Sequence, residues 1–161
     1  MFEELPLDPE RHDRAGFHCG VPALDDYLHR LALQHVRKSV TTVHVLVDSA
    51  ASRTILGYYT LSAAEVDSTE LDIIERKRLP RYPIPCFRLG RLACRADRRG
   101  EGLGKLLLAG AVERCLQAKR LVAAYALIVD AKDDAAAGFY RHYGFTPCAN
   151  SPLMLYLPLG V

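Results

Sequence analysis

The sequence of 161 residues lacks the features that mark several large classes of protein. No apolar run approaches the ~20 residues needed to cross a bilayer, which excludes a membrane-spanning helix. The N-terminus is acidic and interrupted by prolines, unlike a signal peptide. The five cysteines are scattered without a Cys-x-x-Cys pair, so no zinc site or disulfide framework is indicated. We therefore expect one soluble domain over residues 1–161, in a reducing cytoplasm.

Net positive charge is small overall, but basic residues are concentrated in the middle of the chain. The formal net charge is only +2. Residues 76–105, however, contain ten Lys or Arg against two acidic residues, and the rest of the chain carries a net charge of −6. A basic middle in an acidic frame predicts a polyanionic partner.

Residues 87–108 pass from an apolar run through a basic, glycine-rich turn into an apolar helical pattern. Such a strand–turn–helix binds phosphate, because glycines let the backbone approach closely and the helix start presents free N–H groups. We expect Arg98, Arg99 and Lys105 to add mobile positive charge there. The P-loop and dinucleotide spacings do not fit, since no hydroxyl follows Lys105 and the glycines read Gly-x-Gly-x-Gly. The alternative is a turn that merely ends a strand.

A second motif lies at residues 133–145, which read DDAAAGFYRHYGF. The hexapeptide 99–104 resembles the pyrophosphate loop of the GNAT acetyltransferases, Arg/Gln-x-x-Gly-x-Gly/Ala. The second segment resembles that family's Ala-x-x-Phe-Tyr-x-x-x-Gly-Phe helix, with five matching residues: Ala136, Phe139, Tyr140, Gly144 and Phe145. Phe139 and Phe145 are interpreted as core aromatics. For Tyr140 the resemblance implies a catalytic hydroxyl.

Other segments are similar to one branch of the family, the GNAT toxins of bacterial toxin–antitoxin pairs. They are Phe17 with residues 24–28, and residues 57–62, 79–85, 89–93 and 129–131. The resemblance implies an acetyl-CoA-dependent N-acetyltransferase that acetylates the α-amino group of aminoacyl-tRNA and blocks translation. It also implies a ribbon-helix-helix antitoxin and a homodimer as partners, with no metal and no membrane association.

The order of predicted elements agrees with the α/β (α+β) GNAT fold. That fold has a central mixed, mostly antiparallel sheet, helices on both faces, and a splayed strand pair that holds acetyl-CoA. Periodicity predicts strands at 2–7, 41–47, 55–63, 87–95, 121–129 and 153–159. It predicts helices at 22–38, 70–79, 102–118 and 133–143.

By this resemblance the pyrophosphate lies over the glycine loop and the pantetheine arm pairs with main chain of residues 92–94. The implied cofactor-binding residues are Leu92, Ala93, Cys94, Arg99, Gly100, Glu101, Gly102, Leu103, Gly104 and Lys105. An amide of residues 92–94 would stabilise the oxyanion, and Tyr140 would protonate the departing thiolate. Cys94 replaces a common valine, which a backbone contact tolerates.

No general base is evident; Glu65 is the nearest candidate and is interpreted as a solvated turn residue. An α-amine of pKa ~8 needs less help than a lysine of pKa ~10.4, which favours the tRNA acceptor. His35, His44 and His142 are not assigned catalytic roles. Residues 76–78 are either a solvated charge run or a tRNA contact. Two alternatives remain open: a GNAT that acetylates a small amine or a protein N-terminus, and a non-catalytic CoA-binding regulator.

Overall fold

The computed structural model describes residues 1–160, which form two compact units. The first unit contains Met1–Ser62 and Gly90–Ala111, and the second contains Ala63–Leu89 and the chain from Val112 onward. Within the described residues the sheet has seven strands, numbered in chain order, and from one edge to the other their order is β1-β2-β3-β4-β5-β7-β6. Strands β3 (Gly57–Val66) and β4 (Ile84–Cys94) each contribute residues to both units. That residues 1–161 form a single domain stays a prediction.

The first unit is built on an antiparallel sheet covered by a helical segment. Strand β1 (Phe2–Pro6) pairs with β2 (Thr42–Asp48), which pairs in turn with β3 from Thr42↔Leu61 to Leu46↔Gly57. The strands predicted at 41–47 and 55–63 are thus present and pair as an antiparallel hairpin. The helical segment contains α1 (Pro22–Asp26) and α2 (Ala32–Arg37).

A π turn, Tyr27–Leu31, interrupts the single helix predicted at 22–38. The Ala32 N–H reaches back five residues to the Tyr27 carbonyl, so the helix gains one residue in this turn. The apolar face rotates as a result. Tyr27 and Leu28 are buried, whereas Leu31, which the 3.6-residue period places on the buried face, is 43% exposed.

The second unit contains the parallel pairing of β4 with β5 (Ala126–Asp130), which runs from Cys86↔Ala126 to Leu89↔Val129. Strand β7 (Met154–Pro158) runs antiparallel to β5 and carries the two-residue strand β6 (Thr146–Pro147). The unit also contains α3 (Ile73–Arg76) and α5 (Asp134–His142). Its core cluster includes Ile84, Ile128 and Tyr156.

Helix α4 (Leu103–Ala118) matches its predicted span closely, but the strand predicted at 121–129 begins only at Ala126. The N–H groups of Leu121 and Val122 both bond to the Ala118 carbonyl, forming a tight turn after the helix. Leu121 is consequently 90% exposed. Leu106 of α4 is also exposed, because the buried stripe follows Leu103 and Leu107 at a spacing of four.

The helix predicted at 70–79 is reduced to α3 and a preceding 3₁₀ turn, Ser68–Glu70. Asp67 and Asp72 each accept a hydrogen bond from a backbone N–H two residues on, which starts a new turn at each position. Within residues 1–160, no helix has the length and apolar character required to cross a bilayer.

Candidate active site

The segment of residues 99–105, called here the cofactor loop, follows β4 in the first unit and includes the first three residues of α4. Gly100 and Gly102 have φ angles of +85° and +75°, a region that favours glycine. A Cβ built on either meets no described atom within 4 Å, so the backbone is open to a ligand. Leu103 begins the helix, whose first N–H groups have no intrahelical partner. This open cradle fits a pyrophosphate.

Three hydrogen bonds connect residues 95–99, which lead into the cofactor loop, to the segment of residues 16–20. Residues 95, 96 and 99 supply the donors, and main-chain carbonyls of the segment accept. They are Arg95 Nη1 to Gly16 O at 3.0 Å, Ala96 N to His18 O at 2.9 Å, and Arg99 Nη2 to Cys19 O at 3.3 Å. This support was missed by sequence reasoning, because carbonyl acceptors leave no trace in side-chain type.

Gly20 is the one sequence signal that points to this support. Its φ is +89°, and a Cβ there would lie 2.9 Å from Arg99 Nη2. A larger residue would therefore be strained and would displace the Arg99 guanidinium.

Arg98 is not the mobile charge that the sequence predicts. Its guanidinium makes a two-pronged ion pair with Glu101, whose pKa it lowers, with Arg98 Nη2 2.9 Å from Glu101 Oε1. Arg99 is tied to Cys19 O, and Lys105 is exposed. The charge of Arg98 is therefore already compensated by Glu101.

Residues 92–94 lie in the part of β4 that extends beyond its pairing with β5. That register runs from Cys86↔Ala126 to Leu89↔Val129. Ala93 is buried, whereas Leu92 and Cys94 are half-buried. Burial raises the pKa of the Cys94 thiol to about 11, so the thiol is neutral near pH 7. A backbone role for Cys94 agrees with that neutral side chain.

Tyr140 lies on α5 in the second unit and is 7% exposed. The motif's Gly-Phe pair ends this helix. Gly144, with φ +95°, donates its N–H to Arg141 O at 3.0 Å, and Phe145 donates to Tyr140 O at 3.1 Å. These two bonds define a Schellman cap. The Phe145 ring packs edge-on against Tyr140 at 5.5 Å, so the cap holds the Tyr140 ring.

Asp133 caps the other end of α5. Its Oδ1 accepts the Ala136 N–H at 2.8 Å, so this carboxylate caps the N-terminus of α5. Tyr143, three residues after Tyr140, is 36% exposed and packs against Phe139 with ring centroids 5.1 Å apart.

The histidines have structural surroundings. His35 Nδ1 lies 2.9 Å from the Tyr27 hydroxyl, and His44 is buried and stacked on Tyr59. His142 is exposed. Glu65 lies on strand β3 rather than in the turn that the sequence predicts, because β3 continues to Val66; it is exposed.

The basic segment of residues 76–81 follows α3 in the second unit. Lys77, Arg78 and Arg81 are exposed, and Arg76 is half-buried. Arg76, Lys77 and Arg81 line a cleft of about 620 Å³. The segment is therefore available to a ligand.

Glu75, just before the basic segment, fastens α3 to the sheet. Its carboxylate accepts hydrogen bonds from Tyr125 at 2.7 Å and from Tyr156 at 2.6 Å. The Tyr156 hydroxyl also accepts the Asp72 N–H at 2.9 Å. Sequence reasoning missed this triad, since its members are 50 and 81 residues apart.

Several other basic residues between 76 and 105 are engaged with neighbours in their own unit. Arg91 lies over the Tyr27 ring, 3.5 Å from its centroid. Three more form ion pairs: Arg88 with Asp130, Arg95 with Asp97, and Arg98 with Glu101. Asp97 and Glu101 are already counted in the charge balance of residues 76–105, so of these pairs only the one with Asp130 compensates any of the excess positive charge. The four cations of residues 76–81 take part in none of these pairs.

Within residues 1–160, no group of three or more His, Cys, Asp or Glu side chains is arranged to hold a metal ion. The family model described as "Acetyltransferase (GNAT) domain" matches residues 42–147, more than half of the chain and a range that includes the cofactor loop and Tyr140. The chain belongs to the GNAT acetyltransferase family.

Proteins similar to this chain include toxins that act on tRNA or are bound to it. A "tRNA-acetylating toxin" of Mycobacterium tuberculosis is 34% identical over 146 residues, covering 90% of this chain and 85% of the relative. The structure of AtaT complexed with acetyl-methionyl-tRNAfMet is 28% identical, with a TM-score of 0.91 over 98% of this chain and 95% of that one.

A third similar structure contains both a cosubstrate and a partner. It is a tyrosine-to-phenylalanine mutant of the AtaT toxin bound to the C-terminus of the antitoxin AtaR and acetyl-CoA. It is 26% identical to this chain, with a TM-score of 0.83 over 98% of this chain and 93% of that one. The predicted GNAT fold is confirmed by these comparisons.

Proposed function

We propose that this chain transfers the acetyl group of acetyl-CoA to the α-amino group of an aminoacyl-tRNA and thereby blocks translation. The open cradle at Gly100 and Gly102 carries the cosubstrate part of the proposal. The acceptor part is supported by the tRNA-acetylating relative and by the AtaT complex with acetyl-methionyl-tRNA.

In this proposal the N–H groups of the cofactor loop bind the pyrophosphate, and main-chain groups of residues 92–94 pair with the pantetheine arm. Two observations support these roles: the loop backbone is uncovered, and residues 92–94 lie beyond the β4–β5 register. The remaining loop residues named from the sequence, Glu101 included, act through their main chain. The ion pair of Glu101 with Arg98 agrees with that role.

The acceptor amine loses a proton to water and attacks the thioester carbonyl carbon. A backbone amide of residues 92–94 stabilises the oxyanion, and the attacking nitrogen releases its second proton to water. The carbon–sulfur bond then breaks, Tyr140 gives its hydroxyl proton to the thiolate, and the Tyr140 phenolate takes up a proton from water. An α-amine of pKa ~8 is neutral often enough near pH 7 to react without a strong protein base. The exposed position of Glu65 on β3 agrees with its not being that base.

The basic segment is the proposed contact for the RNA backbone. Arg76, Lys77 and Arg81 line a cleft, and Glu75 fixes the short helix α3 that leads into the segment. Phosphodiesters would be neutralised there by Lys and Arg, with release of counterions.

An antitoxin of ribbon-helix-helix type is proposed as the protein partner, supported by the AtaT complex with AtaR. The site of action is the cytoplasm, where charged tRNA is found. Homodimerisation remains part of the proposal without separate support.

The proposal is tested by incubating the purified chain with acetyl-CoA and a mixture of charged tRNAs. Mass spectrometry of the released amino acids should find N-acetylated species, and these also identify the accepted tRNAs. Free amino acids, peptides with a free N-terminus and small polyamines are the matched controls. Acetylation of those amines, with charged tRNA left unmodified, would contradict the proposal and favour the small-amine alternative.

A further inference from the structure

The first unit has a second cleft, of about 270 Å³, outside the cofactor loop. It lies where the chain after β1 meets the turn between β2 and β3. Its polar lining consists of His12, Asp13, Arg14, His29 and Arg53. None of these residues has a role in the proposed acetyl transfer.

His12 reveals what the cleft can bind. The residue is only 3% exposed, and its Nδ1 accepts the Asp8 N–H at 2.9 Å. A backbone N–H can only donate, so Nδ1 carries no proton and the neutral ring has its proton on Nε2. Among the described residues, no atom accepts a hydrogen bond from this buried Nε2–H. His12 also lines the cleft, so its ring holds an unused, buried donor at the wall of the cleft.

The charges around His12 select an anion. Burial is the largest cause that lowers the pKa of His12, and the charge of Arg11 adds to it, so the ring stays a neutral donor. Arg14 and Arg53 supply two cations, and a guanidinium has five N–H donors. The only carboxylate of the lining, Asp13, accepts the Gly16 N–H at 3.2 Å. The His12 ring cannot bind a cation, because the lone pair of Nδ1 accepts the Asp8 N–H and Nε2 carries the proton.

We propose that the cleft of His12, Arg14 and Arg53 binds a phosphate group, supplied either as free phosphate or as a phosphodiester of an RNA chain. A phosphate presents enough oxygens to accept from the imidazole and from both guanidinium groups at once. It would supply the acceptor that Nε2–H lacks. Only the RNA source rests on the proposed function.

The test is a titration with inorganic phosphate at constant ionic strength, followed by NMR of the histidine ring nitrogens. Saturating coenzyme A is present, so that added phosphate does not bind at the cofactor loop and contribute to the signal. The His12 Nε2–H resonance should shift saturably. Arg14→Gln and Arg53→Gln should each weaken phosphate binding about fivefold or more. Arg37→Gln, an exposed arginine on α2 outside the cleft, is the matched control and should change nothing.

The absence of a saturable shift, or equal dissociation constants in all three variants, would overturn the proposal. Arg14→Gln is sufficient alone should Arg53→Gln fail to fold. Steady-state kinetics of Arg14→Gln then identify the source. A higher KM for charged tRNA with an unchanged KM for acetyl-CoA assigns a phosphodiester, and unchanged values for both, with weakened phosphate binding, assign free phosphate. The titration needs no enzymatic activity, so its result stands apart from the proposed function.

Discussion

Replacing Gly102 by valine tests whether the cofactor loop is a phosphate cradle. The backbone at Gly102 has φ +75°, and no described atom lies within 4 Å of a Cβ built there. A side chain at this position therefore starts in open space and extends into the region assigned to the pyrophosphate. Two separate effects follow, one on stability and one on affinity.

The stability effect comes from holding a non-glycine residue in the left-handed region, which costs roughly 1–2 kcal/mol. For a chain of this length that lowers the melting temperature by about 2–8 °C. The affinity effect comes from the lost approach of the backbone to phosphate. We expect the dissociation constant of acetyl-CoA to rise about tenfold or more, which corresponds to about 1.4 kcal/mol.

Gly160 offers a matched control. Its φ is +82° and a Cβ there also meets nothing within 4 Å, yet it lies after β7, outside the cofactor loop. Gly160→Val therefore repeats the local strain without affecting the ligand. Calorimetry should find weaker acetyl-CoA binding in Gly102→Val and wild-type binding in Gly160→Val. Wild-type affinity in both variants would show that the pyrophosphate binds elsewhere.

Three further predictions address the basic segment, the Glu75 triad and the buried thiols. Changing Arg76, Lys77 and Arg78 to alanine should reduce the slope of log affinity for charged tRNA against log salt concentration by about 2–3, because fewer counterions are released. Acetyl-CoA binding should not change. A slope equal to that of the wild type would show that the segment is solvated surface without an RNA contact. Tyr156→Phe removes a hydroxyl that is hydrogen-bonded to Glu75 and should lower the free energy of unfolding by about 1–3 kcal/mol. Tyr143→Phe, at a more exposed ring, should change the free energy of unfolding little. Chemical denaturation measures both variants. Burial raises the pKa of Cys115 to about 12 and that of Cys86 to about 11 in the folded chain. The thiols of the unfolded chain therefore ionise at lower pH than those of the folded chain. The free energy of unfolding should be unaffected by these thiols below pH 9 and should fall as the pH rises above it. Constant melting temperatures from pH 8 to pH 11 would contradict that expectation.

The elements predicted well from sequence are those whose cause is local. Gly102 and Gly144 adopt positive φ in motifs that require it, and the Gly-Phe pair closes α5 through bonds within six residues. The strands of the β2–β3 hairpin follow β-branched alternation. Local chemistry is therefore enough to locate the cofactor loop and the Tyr140 helix.

The elements predicted poorly depend on contacts far apart in the chain. The π turn at Tyr27–Leu31 alters which face is buried, and no period of 3.6 residues reveals it. The carbonyls of residues 16–20 support the cofactor loop from about 80 residues away. The partners of Arg98 and Glu75 are likewise set by the fold, since side-chain type alone does not indicate which charge is compensated.

The most direct test of the proposed chemistry is the rate of acetyl transfer to charged tRNA by Tyr140→Phe. Phenylalanine keeps the ring that packs on Phe145, so only the hydroxyl is lost. We predict a fall in kcat of roughly 10²-fold or more with acetyl-CoA binding retained, and no comparable loss in Tyr143→Phe. In cells, Tyr140→Phe should abolish growth arrest in the absence of an antitoxin. Transfer by Tyr140→Phe at the wild-type rate would contradict the account, because the thiolate would then take its proton from water or another residue.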